Sequence, residues 1–518
     1  MRVQLRSELA AHAKPVIQSF IDHKIASRIA AKDSSIWGQD AAQEASARLG
    51  WVTSPKDSRN LLPSIRSLRD EFEQLGVSRF VLCGMGGSSL APEVITKFYK
   101  RELFILDSTS PDQVRLALAN LNRTAVIVSS KSGSTVETDS QKRIFEKAFL
   151  DAGIDPLQRI VIVTDPGSPL DIDSRKSGYR VFNADPMVGG RYSALTAFGL
   201  VPSGLVGCDI AELLQHAVDS LPSLVSESVN NPAYVLAAAL TCQVGVDKFL
   251  VEADSLPNFG DWVEQLVAES TGKNGTGVLP VAVASSAPEI SMRLLDVISV
   301  RLGNDAGDVS FEGTLGELFM VWEFATAIAG WKLGINPFDQ PNVESAKQAA
   351  RELLDTPSVT EAADFIDRSI GVTARGFEVA GTTVDAAVEA LIGRLAPNGY
   401  LAIHAYLPAN VYPQFVKLRE QFAARANRPT TFGWGPRFLH STGQYHKGGP
   451  KQGVFLQLIQ NIQDDLAVPG REFSFGQLIE AQANGDAEVL ASHGLPVLSL
   501  RLTSPLEALS FLQGVIRS

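Results

Sequence analysis

From about residue 78, short unbroken apolar runs alternate with amphipathic stretches: Phe80-Val81-Leu82-Cys83, Leu103-Phe104-Ile105-Leu106, Ala125-Val126-Ile127-Val128 and Ile160-Val161-Ile162-Val163. Strands that are apolar on both faces and separated by helices predict a parallel sheet covered on both sides. A less regular series follows a helical region near 208–245, with strands expected at Lys248-Phe249-Leu250-Val251, Leu279-Pro280-Val281-Ala282-Val283, Leu401-Ala402-Ile403-His404, Val454-Phe455-Leu456 and Val497-Leu498-Ser499-Leu500. Residues 1–75 place apolar positions at helical spacing, with breaks at Pro55 and Pro63, and show no evident chemistry. The pattern predicts an α/β protein with a helical N-terminal segment (1–75) and two doubly wound parallel-sheet domains (76–230 and 231–518), the second with a helical insertion at about 351–395.

Composition narrows the function classes. A chain of 518 residues, 45% hydrophobic, is expected to be a soluble multi-domain protein. Its net charge of -11 argues against a nucleic-acid or anionic-membrane surface, so an anionic substrate needs a local site. Cys83, Cys208 and Cys242 form no CxxC pair, which fits a reducing compartment and speaks against a disulfide framework or a cysteine zinc site. Charged residues interrupt positions 1–30, so neither a signal peptide nor a membrane span is expected, and the cytoplasm is the expected address.

Two loops follow strands and can hold an anion. Ser130-Lys131-Ser132-Gly133-Ser134-Thr135-Val136-Glu137-Thr138 offers hydroxyls and the N–H groups of a following helix N-terminus to one dianion; its other reading is simple helix capping. Gly84-Met85-Gly86-Gly87-Ser88-Ser89 lets the backbone turn sharply toward a ligand, and as a dinucleotide motif it fails at Ser89, where the third glycine should stand. Both loops lie at the carboxyl edge of one parallel sheet, where such folds bind ligands, and together they suggest a phosphorylated small molecule.

Other segments carry candidate acid–base and oxyanion groups. Gly260–Lys273 reads as a helix capped by Asp261 and ended near Gly272, with Trp262, Leu266 and Glu269 on one stripe. A carboxylate beside an apolar stripe is partly desolvated and strengthened as a base for carbon-bound protons; a solvated helix-end glutamate is the alternative. Arg191, after Gly189-Gly190, either stabilises an oxyanion or pairs with a structural carboxylate. Gln340 and Lys347, seven apart around a helix start at Pro341, share one face, although Lys347 can equally pair with Glu344. His440 precedes a small polar turn and reads as catalytic or as structural.

Together the segments Gly84–Pro92, Ser130–Thr138, Gly189–Ser193, Glu269–Lys273, Asn336–Lys347 and His440–Gln444 resemble the phosphoglucose isomerase family. The resemblance implies two sugar isomerase (flavodoxin-like) domains and the interconversion of glucose 6-phosphate and fructose 6-phosphate through a cis-enediolate, as in glycolysis and gluconeogenesis. It implies that Ser130, Lys131, Ser132 and Thr135 hold the sugar phosphate, with Gly87 and Ser88 beside the substrate and Gln340 in contact with it. Glu269 would be the proton-transferring base, Arg191 would stabilise the enediolate, and His440 with Lys347 would assist ring opening. No cofactor or metal is required, and a homodimer is implied in which the histidine comes from the neighbouring subunit. A sugar-phosphate sensor, by contrast, has no use for Glu269, Arg191, His440 and Lys347 together. One departure is clear: in the family the histidine block precedes the Phe-Asp-Gln-Pro block, whereas here His440 follows Lys347.

Overall fold

The structure, a computed structural model of the chain, describes residues 1–303, 307–342 and 362–517. The N-terminal segment is helical except at its start, where Arg2–Leu5 form a strand, β1, antiparallel to a strand some three hundred residues later. Two polar residues in four and a surface-edge position hide it in a helical reading.

The first sheet forms from the apolar runs. It contains β2 (Arg79–Gly84), β3 (Phe104–Leu106), β4 (Thr124–Ser129), β5 (Ile160–Thr164) and β6 (Arg180–Asn183), all parallel, in the order β3-β2-β4-β5-β6. Alternate side chains enter different cores. Val81, Cys83, Val126 and Val128 pack with Ile144, Phe145 and Phe149 of the helix Val136–Asp151, while Leu82, Ala125 and Ile127 face the large core shared with the N-terminal helices. Burial on both faces is why these strands read as continuous apolar runs.

Residues 231–518 carry two sheets where one was expected. One has the order β1-β10-β9-β7-β8, from β7 (Lys248–Glu252), β8 (Leu279–Val283), β9 (Val297–Leu302) and β10 (Val309–Glu312). The other is six-stranded, β11-β12-β16-β15-β13-β14, from β11 (Phe365–Asp367), β12 (Ile370–Arg375), β13 (Tyr400–Tyr406), β14 (Thr430–Trp434), β15 (Gly453–Gln460) and β16 (Val497–Leu502). The helical insertion expected at 351–395 is corrected accordingly: its described residues form β11, β12 and the helix Val384–Ile392. β9 and β12 escaped notice because they alternate apolar and polar residues, as half-buried strands do. Residues 208–245 form two helices, Ile210–Leu224 and Pro232–Thr241, which pack in the same core as the long helix Leu315–Leu333.

Phe145 is fully buried between the first sheet and its covering helix. Phe145→Ala is expected to destabilise the fold by about 3–5 kcal/mol through lost transfer energy and the cavity left behind. The check is the denaturation midpoint, which should fall clearly below that of the wild type.

Candidate active site

A cavity of about 380 Å³ opens at the carboxyl ends of β2, β4 and β5. Its walls bring together Gly87, Ser88, Ser130, Lys131, Ser132, Thr135, Arg191, Glu269, Gln340 and His440, along with Arg48, Asp165 and Gln265, which the sequence reading did not single out. Lys347 lies outside the described residues.

The Ser/Thr loop adopts its shape through its own hydroxyls. Ser130 Oγ donates to Thr135 Oγ1 at 3.0 Å, and Gly133 N–H donates back to Ser130 Oγ at 3.2 Å. Thr135 stands at the N-cap of the helix Val136–Asp151 yet makes no side-chain cap bond, so the capping alternative for this loop does not hold there. Gly133 has φ +68°, and a Cβ would lie 2.8 Å from the Leu170 nitrogen, so a side chain is excluded. Gly87 is required by close approach: a Cβ there would lie 2.1 Å from the Gly190 carbonyl oxygen, which is how the glycine turn after β2 and the Arg191 loop come to share one wall.

Glu269 lies on the buried helix Phe259–Thr271, whose N-cap is Asn258; Asp261, expected to cap it, sits in the first turn. Both Glu269 oxygens are held. Arg191 Nη1 lies 3.0 Å from Oε1, and Gln265 Nε2 donates to Oε2 at 3.2 Å. The expected desolvation of Glu269 is therefore accompanied by a buried cation. Arg191 also donates to Ser270 Oγ (2.8 Å), Gln340 Oε1 (2.7 Å) and the carbonyls of Pro337 (2.9 Å) and Asp339 (2.8 Å). Lys273 reinforces the same loop, donating to the carbonyls of Asn336 (2.5 Å) and Asp339 (2.6 Å) and to Asp339 Oδ1 (2.6 Å). Burial, with Arg191 nearby, pulls the Lys273 ammonium down to about 7.

His440 enters from the third sheet's unit and belongs to the same chain as the rest of the cavity. The resemblance implied a histidine from a neighbouring subunit; here the chain's own histidine reaches the site. Arg437 anchors its short turn, with Glu93 at 2.7 Å, Asp107 at 3.3 Å and Asp261 at 3.6 Å. The His440 carbonyl accepts from Gln265 Nε2 at 2.7 Å, and its Nε2 lies 2.9 Å from Glu137 Oε1. Glu137, buried in the first turn after the hydroxyl loop, also accepts from Gln482 Nε2 at 2.8 Å. The contact between His440 Nε2 and Glu137 Oε1 fixes the orientation of the ring. Only its place just after the hydroxyl loop could have drawn attention to Glu137. Among the described residues no group of three or more His, Cys, Asp or Glu is placed to hold a metal ion, and no helix is long and apolar enough to cross a membrane.

Earlier on the Glu269 helix, burial pushes the Glu264 carboxyl up to about 8 from its usual 4.5, with Asp261 adding repulsion while Arg419 and Arg437 pull the other way. Between those values the folded chain holds a proton that the unfolded chain has released, so this group's contribution to stability is full below about pH 4.5 and is lost as pH rises toward 8. Glu264→Gln, neutral throughout, is expected to flatten that fall. Denaturation midpoints at pH 5 and pH 8 measure it, and an unchanged difference between the two would contradict the assignment.

The family model described as phosphoglucose isomerase matches residues 70–287, which contain the hydroxyl loop, Arg191 and Glu269. The chain is 30% identical over 348 residues to a probable glucose-6-phosphate isomerase of Natronomonas pharaonis, covering 55% of this chain and 81% of that protein. It is 27% identical over 401 residues to one of Methanococcus maripaludis, covering 64% and 90%. Among solved structures, a hypothetical protein of Thermus thermophilus superimposes with TM-score 0.59 at 22% identity, over 68% of this chain and 100% of that one. A glucose-6-phosphate isomerase of Chlamydia trachomatis gives TM-score 0.51 at 21% identity, over 63% and 78%. These two likenesses speak for the fold, and the sequence matches speak for descent. The chain belongs to the phosphoglucose isomerase family of aldose–ketose isomerases.

Proposed function

We propose that this chain is a glucose-6-phosphate isomerase, interconverting glucose 6-phosphate and fructose 6-phosphate through a cis-enediolate in glycolysis and gluconeogenesis. The observation that carries the reading is the one cavity in which the hydroxyl loop, the Glu269–Arg191 pair and His440 meet. The names of the sequence relatives support the choice of substrate. The volume of about 380 Å³ falls within the range of small-molecule sites.

Ser130, Ser132, Thr135 and the Lys131 backbone hold the phosphate, far from the reacting carbons, and so orient the sugar. Gly87 and Ser88 border it, and Gln340 contacts it. His440, its ring set by Glu137, moves the protons of ring opening together with Lys347. Glu269 then removes the proton from C2 of the open aldose; the electron pair forms the C1–C2 double bond and the carbonyl oxygen becomes the enediolate oxygen. Arg191 lies against the base and stabilises that oxygen. Transfer of the O2 hydroxyl proton to O1 and delivery of a proton to C1 by Glu269 give the ketose. No electrons enter or leave the substrate, so the chemistry calls for no redox cofactor. A cytoplasmic homodimer is the assembly the family suggests.

Glu269→Gln is expected to keep sugar-phosphate binding while turnover and exchange of the C2 proton with solvent fall by about 10²–10⁴. Proton exchange followed by NMR decides this, and full exchange in the variant would reassign the base. A second expectation concerns where His440 acts: mixed Glu269→Gln and His440→Ala chains should stay inactive in a coupled isomerase assay, because each site lacks one group. Restored turnover would mean that the histidine works across subunits.

A further inference from the structure

The N-terminal segment, in which the sequence shows no chemistry, contributes one side chain to the cavity wall, Arg48. The residues that follow it are anchors. Leu49 forms a bridge with Val188, and Gly50 N–H donates to the Met187 carbonyl at 2.9 Å. Trp51 stacks on Tyr192 with ring centroids 5.2 Å apart. The strip 49–51 thus clamps the segment 185–192 that contains Arg191, and it delivers Arg48 to the wall that the hydroxyl loop shares.

Arg48 and Lys131 of the hydroxyl loop share one acceptor on the cavity wall. Its Nη1 donates to the Pro186 carbonyl at 3.3 Å, and Lys131 Nζ donates to the same oxygen at 3.4 Å. Its Nε is held by Glu44 Oε1 at 2.8 Å and its side chain is 28% exposed, while its Nη2 makes no hydrogen bond among the described residues. Lys131, the obvious cation of the loop, is already engaged by Asp165 Oδ2. Burial moves Lys131 down and Asp165 up, each toward its neutral form. The Lys131–Asp165 pair brings little net positive charge to a dianion, and Arg48, although its Nε rests on Glu44, adds a second cationic group at the wall with Nη2 open.

We infer that Arg48 is a phosphate-binding residue of this isomerase, closing the cradle from the N-terminal segment by a charge-assisted hydrogen bond from Nη2 to the substrate's phosphate. The inference rests on the reading of the Ser130–Thr135 loop as the phosphate site. Guanidinium suits the position because its planar fork keeps two edges on Glu44 and Pro186 while the third is presented to the ligand.

The test compares wild type, Arg48→Ala and Arg48→Lys by steady-state isomerisation of glucose 6-phosphate and by competitive inhibition with inorganic phosphate. In Arg48→Ala, KM and the phosphate inhibition constant should rise together by roughly ten- to a hundredfold, with kcat nearly unchanged, and Arg48→Lys should recover part of the loss. An Arg48→Ala enzyme inhibited by phosphate as strongly as wild type overturns the inference, as does a fall in kcat alone, which would make Arg48 a support of the 185–192 segment. If Arg48→Ala does not fold, Arg48→Met keeps the stem and is read in the same way. Wild type that neither isomerises the sugar nor binds phosphate would instead overturn the functional reading, and this inference with it.

Discussion

The site depends on one buried guanidinium. Arg191 is 3% exposed and reaches Glu269, Ser270, Gln340 and the carbonyls of Pro337 and Asp339. It starts from the first sheet's last loop, pairs with the second unit's helix and holds the segment that carries Gln340. A buried charge with that many acceptors is stable only while all of them stay in place, because an unpaired ion in such a position costs about 3–5 kcal/mol. The arrangement of three chain segments around Glu269 is thereby tied to one residue's hydrogen-bond count. The Gly87 and Gly190 backbones touch so that this residue can lie where it does.

Charge also fixes the unit that carries His440. Arg419 with Glu289, at 2.5 Å, and Arg428 with Asp296 join the six-stranded sheet's unit to the second sheet's loops, and Arg437 sits among Glu93, Asp107 and Asp261. Burial raises Asp107 to about 6, against the pull of Arg437. Within the unit, Lys447 pairs with Asp486 at 2.6 Å under the turn that bears His440. Buried ion pairs add little net stability compared with apolar packing, but they demand one geometry. A turn held by several of them presents its histidine to Glu137 in one orientation.

Legibility varied with how local each feature is. The hydroxyl loop was readable because a strand, a loop and a helix start occur within some fifteen consecutive residues, whereas the bond that Thr135 does not make, which removes the capping reading there, was not. Glu269 was readable from its stripe with Trp262 and Leu266, while its pairing with Arg191 was not, since the two stand far apart in sequence. Glu137, Gln265, Asp165 and Arg48 escaped for a common reason: each is an ordinary polar residue in an ordinary helix or loop until the fold brings a distant group to it. β9 and β12 escaped because a search for continuous apolar runs passes over strands with one wet face.

By itself the sequence determined the class of fold, the buried strands of the first sheet, the loop chemistry at their ends and the family, because hydrophobic period and short motifs are written in neighbouring residues. Tertiary structure alone decided that residues 231–518 form two sheets, that the N-terminal strip reaches the cavity and that His440 meets Glu137 of its own chain. These are contacts across hundreds of residues, set by which buried faces and charges can be satisfied together, and no local pattern carries that information.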